Sequence, residues 1–95
     1  MENKHYILRT HLYRLKDHIN DGWQDYEDGK KFKQMNEPNE AKDSFDCARQ
    51  RAEMAQREVK KIEDIDINLE EDDLYFLYED VLDRLDMLKD KVSKE

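Results

Sequence analysis

Between Ala41 and Ile62 the apolar residues Ala41, Phe45, Ala48, Ala52, Ala55, Val59 and Ile62 recur at steps of four, three, four, three, four and three without a miss. Side chains return to the same face every two residues in a strand and every 3.6 in an α-helix, so this run can bury one face only as a helix. Two further segments follow the same rule. Leu8, Leu12, Leu15 and Ile19 continue in register through Gly22 and Tyr26, and Leu74, Tyr78, Val81, Leu85, Leu88 and Val92 make a third seam. Alternating threes and fours are the spacing of coiled coils and helical bundles. The sequence therefore predicts an all-α fold, an elongated antiparallel three-helix bundle with coiled-coil-like heptad seams, as a single helical domain over residues 1–95.

The punctuation between the seams sets the element boundaries. Asn36-Glu37-Pro38-Asn39 separates the first two segments, with Pro38 suited to the opening turn of a helix. Asn68 followed by Glu71 reads as a capping-box variant opening the third helix. These marks predict helix 1 at about 4–34, helix 2 at about 38–64 and helix 3 at about 69–93. Helix 1 contains Asn20-Asp21-Gly22, a turn-like tripeptide. The seam keeps its register through Gly22, which favours one long helix kinked there; the alternative is a break near 20–22. The alternating stretch Ile65-Asp66-Ile67 is read as an extended connector whose isoleucines cap the core, and the alanine-rich seam of helix 2 is expected to let its neighbours approach closely.

Composition narrows the function classes. Charged residues make up 44% of the chain and apolar ones 37%, close to the composition of disordered chains, so order depends on the seams. No apolar run approaches the roughly 20 residues needed to span a bilayer, and Met1-Glu2-Asn3-Lys4-His5 leads into charged sequence rather than an apolar leader. With a single cysteine, Cys47, the expected location is cytoplasmic, and no membrane partner is expected. The net charge is -8, and it is uneven: residues 1–62 carry 13 bases and 12 acids, residues 63–95 carry 4 bases and 13 acids. An acidic balance argues against direct nucleic-acid binding, because phosphate contacts need Lys and Arg.

Residues that carry chemistry are few. Ser44 and Ser93 are isolated, Cys47 has no His at helical neighbour spacing, and His5, His11 and His18 are read as surface or rim side chains of helix 1. Glu2-Asn3-Lys4-His5 is the one Glu-x-x-His motif, where a carboxylate-bridged metal bundle needs two. Asp64, Asp66 and Asn68 imitate the start of an EF-hand loop, but Leu69 stands where the loop needs Gly and Tyr75 where it needs Glu. The reading is of a protein that is not an enzyme, with no catalytic residue, cofactor or metal. On helix 2, Arg49, Arg51, Arg57, Lys60 and Lys61 alternate with Asp43, Asp46, Glu53 and Glu58, which reads as a solvated face.

The candidate site is the acidic side of helix 3. Opposite its seam stand Asp72, Asp73, Glu79, Asp80, Asp83, Asp86 and Asp90, with Phe76 and Met87 in the same stripe. Residues three and four apart stack about 5–6 Å from one another, a spacing similar to that of phosphates along a nucleic-acid strand. Apolar groups inside an acidic field suit contact with a basic protein surface. The expected function is a protein-binding module, an inhibitor or adaptor, using Phe76, Glu79, Asp83, Asp86 and Asp90 against another protein with a basic surface, such as one that binds nucleic acid. In size and charge the chain resembles small acidic inhibitors that mimic DNA, though no motif carries that resemblance. The alternative is a self-associating structural bundle, a homodimer built on aromatic residues such as Tyr13 and Trp23, with the acidic face serving solubility.

Overall fold

The computed structural model describes residues 3–66 and 68–95, and of Glu71 the backbone alone. Helix α1 runs Lys4–Gln34, α2 Pro38–Glu63 and α3 Tyr75–Ser93, with a single 3-10 turn at Leu69–Glu71 between the last two. No strand occurs among the described residues. The chain goes up, down and up again, so α1 and α3 are parallel to each other and antiparallel to α2. The bundle measures 54 × 21 × 15 Å.

The three seams meet in one core. Leu8, Leu12, Leu15 and Ile19 of α1 are buried, as are Ala48, Ala55 and Ile62 of α2 and Val81, Leu85 and Leu88 of α3. Each large aliphatic side chain so covered stabilises the fold by about 1.5–3 kcal/mol. Partly buried Ile65, Leu69, Leu74 and Leu77 close the end of the core near the α2–α3 connector.

Helices α1 and α2 share the most extensive interface; α3 lies against both along a narrower strip. Small residues mark the close approaches: α2 carries Ala48, Ala52 and Ala55 in its buried seam, and α1 carries Gly22 and Gly29, both buried within a continuous helix. A Cβ on Gly22 would stand 2.7 Å from Leu88 Cδ2 and 3.2 Å from Arg51 Cβ. One on Gly29 would stand 2.7 Å from Phe45 Cε1. Gly22 is thus a point of close approach, and the turn-like Asn20-Asp21-Gly22 remains helical.

The α1–α2 turn is short because Asn36 adopts φ 59°, the left-handed region. That rotation lets Glu37 N–H reach the Phe32 carbonyl at 2.9 Å and Asn36 N–H reach the Lys33 carbonyl at 3.3 Å, which satisfies carbonyls at the helix end. Pro38 then opens α2 without needing an N–H partner.

The start of α3 differs from the sequence-based expectation of about 69. Asn68 does cap, but it accepts from Glu70 N–H at 3.2 Å and so closes the 3-10 turn. Asp72 then accepts the Leu74 N–H at 2.8 Å, and the α-helix begins only at Tyr75. Ile67 and the side chain of Glu71, half of the expected capping box, lie outside the described residues.

Candidate functional site

The buried seam of Tyr78, Val81, Leu85, Leu88 and Val92 fixes the rotation of α3 about its axis. Its opposite side therefore faces outward: Glu79, Asp80, Asp83, Asp86 and Asp90 are all exposed. Phe76 is 81% and Met87 56% exposed within the same stripe. From Glu79 to Asp90 the row covers about 16 Å at 1.5 Å per residue.

The electrostatics of the row depend on where its neighbouring bases point. Arg84 and Lys89 are the two bases in sequence between Glu79 and Asp90. Neither reaches the row. Arg84 Nη2 donates to Asn20 Oδ1 of α1 at 2.6 Å, and Lys89 Nζ donates to Gln56 Oε1 of α2. Among the described residues, the one ion pair on the row is Asp90 with Lys94, at 3.1 Å. Glu79, Asp83 and Asp86 face solvent without a countercharge among the described residues. The Tyr75 hydroxyl responds to this field: hydrogen bonding to the Glu79 carboxylate, partial burial and the nearby negative charge raise its pKa above the usual tyrosine value.

Asp72 does not belong to this face. Its side chain is only 6% exposed and sits 2.8 Å from His5 Nδ1 on α1. The Leu74 N–H bond is the main reason its carboxyl titrates below the usual aspartate value; burial opposes, and the bond and charge of His5 assist. Asp73 is exposed beside it, outside α3.

A second carboxylate–imidazole pair ties α1 to α2. His11 Nδ1 lies 2.8 Å from Glu58 Oε2, and Lys61 Nζ lies 3.3 Å from Glu58 Oε1. Glu58 is 6% exposed, so it is not part of a solvated face as the charge pattern of helix 2 suggests. Burial raises its pKa, but the hydrogen bonds from His11 and Lys61 outweigh burial and leave it below the usual glutamate value. His5 and His11 thus act as ties between helices. Sequence spacing missed both pairs, since each partner is 47 or more residues away. Among the described residues no three His, Cys, Asp or Glu side chains converge to hold a metal ion. Cys47 is exposed and unpaired by any disulfide.

The aromatic residues divide. Tyr6 and Tyr13 are 66% and 50% exposed. Trp23 is only partly exposed, packing edge-on against Tyr26 with ring centroids 5.7 Å apart. Of the two residues expected to serve self-association, Tyr13 is at the surface and Trp23 packs against the core.

No family model, curated protein or solved structure matches this chain. The outward side of α3 is accordingly weighed on its own geometry. No described helix is long and apolar enough to cross a membrane.

Proposed function

We propose that the protein is a cytoplasmic, non-enzymatic protein-binding module, an inhibitor or adaptor that docks the outer face of α3 on a basic surface of a partner, such as a nucleic-acid-binding groove. The observation that carries this reading is the turning of Arg84 and Lys89 away from the row, onto the neutral amides of Asn20 and Gln56. With its cations turned aside, the face presents its negative charge unneutralised to a partner. Phe76 supplies an apolar anchor beside the row, and long-range attraction speeds the encounter.

The test is affinity capture from source-cell lysate with wild type and with a variant carrying Glu79→Gln, Asp83→Asn, Asp86→Asn and Asp90→Asn. The expected result is a basic protein retained by wild type, lost with the variant and weakened as salt rises. Captures that match between the two proteins would overturn the reading. A homodimer is the second reading, favoured by exposed Tyr6 and Tyr13. Sedimentation of wild type beside Tyr13→Ala decides it: a dimer that Tyr13→Ala dissociates supports it, and a wild-type monomer removes it.

A further inference from the structure

A pocket of opposite character lies at the end of the bundle where α1 turns into α2 and α3 ends. It has a volume of about 210 Å³, a floor of Pro38, Ala41 and Phe45, and a rim carrying Lys33, Lys42, Arg49 and Glu95. Three bases at one small apolar recess stand out on a chain of net charge -8.

One carboxylate of the chain already lines this pocket. The Glu95 side chain is only 12% exposed, and its Oε2 sits 3.2 Å from Lys33 Nζ. Glutamate side chains remain in water unless opposite charge offsets their desolvation. Arg49 is fixed in place, with Nη1 2.8 Å from Asp46 and Nη2 donating to the Val92 carbonyl at 3.1 Å. Lys42 makes no ion pair among the described residues.

We propose that this pocket is a receptor for a carboxylate on a short aliphatic stem, with Glu95 as the internal occupant of Lys33 in the free chain and an external aliphatic carboxylate taking its place when Glu95 withdraws. The apolar floor takes the methylenes, Lys33 and Lys42 take the charge, and Arg49 holds the wall. The volume suits a short acyl chain rather than a nucleotide. This site is independent of the α3 face, and failure of either leaves the other standing.

The experiment titrates isotope-labelled full chain with sodium glutarate, against sodium chloride at matched ionic strength, and follows backbone amide shifts. In Glu95→Gln the internal occupant loses its charge, and saturable shifts are expected at residues 33, 42 and 49 with a Kd in the millimolar range. In wild type the tethered carboxylate competes at an effective concentration on the order of millimolar, so apparent affinity should fall about twofold. Adding Lys33→Gln and Lys42→Gln to Glu95→Gln should abolish the shifts. Shifts in Glu95→Gln that match the chloride control overturn the proposal, as does equal affinity in wild type and Glu95→Gln.

Discussion

The ring of Phe45 lies directly against the backbone of Gly29, with Cε1, Cδ1 and Cζ 2.7, 2.8 and 3.0 Å from where a Cβ would stand. A glycine inside a helix costs about 1 kcal/mol relative to alanine, so its presence there is explained by this contact. Gly29→Ala should therefore destabilise the protein despite better helix propensity. Overpacking costs about 1–3 kcal/mol, leaving a net loss of about 1 kcal/mol. Gly22→Ala should cost less, because one methyl of Leu88 stands within 3 Å there, against several ring atoms of Phe45 at Gly29. Urea unfolding of both variants checks the order, and a stabilised Gly29→Ala would contradict the packing account.

Asn36 holds φ 59° and carries the tight α1–α2 turn. A Cβ without a compensating side-chain amide costs about 1–2 kcal/mol in that region, whereas glycine has no such cost. Asn36→Ala should lower stability by about 1 kcal/mol and Asn36→Gly should leave it unchanged or raised. Thermal melts of the two variants measure the difference directly; equal losses would mean that the turn tolerates other geometry.

Much of this fold is legible in the sequence because seam positions such as Ala48, Leu85 and Leu88 obey a period that only a helix produces. What spacing does not report is the behaviour of flanking polar residues. Glu58 sits one residue before the seam position Val59, and whether it points to water or to His11 depends on how α1 and α2 are rotated against each other. Asp72 is similar: Asn68 looks like the cap of α3, but Asp72 delays the helix by binding the Leu74 N–H and His5. The acids of the α3 row are readable from spacing. The turning aside of Arg84 and Lys89 is not, because it needs Asn20 and Gln56 at the right height on other helices.

The carboxyls of Glu58 and Asp72 titrate below their ordinary values of 4.5 and 3.8. The folded state then binds fewer protons than the unfolded state in that range, so their contribution is complete above those values and lost as pH falls through and below them. Glu58→Gln should flatten part of the fall in stability between pH 5 and pH 3. His11→Ala should cost about 1–3 kcal/mol at pH 7, because it strips a partner from a covered carboxylate. Urea midpoints across that pH range, wild type against each variant, provide the check. Parallel curves for wild type and Glu58→Gln would show that the pair contributes nothing.

The row Glu79, Asp83, Asp86 and Asp90 steps by four, three and four, and three of its members lack a countercharge among the described residues. Each like-charge neighbour pair at this spacing opposes the helix by about 0.2–0.5 kcal/mol. Combining Glu79→Gln, Asp83→Asn and Asp86→Asn should therefore stabilise the protein, by about 1 kcal/mol in all at low ionic strength. The gain should shrink in 1 M salt, where the screening length falls to about 3 Å, shorter than the spacing of the row. Thermal melts in 20 mM and 1 M sodium chloride measure both effects. A variant that is both more stable and unable to capture a basic partner would mean that the row opposes folding and serves binding. If neutralisation leaves the melting temperature unchanged at low salt, the acids do not repel one another strongly enough for that conflict to exist.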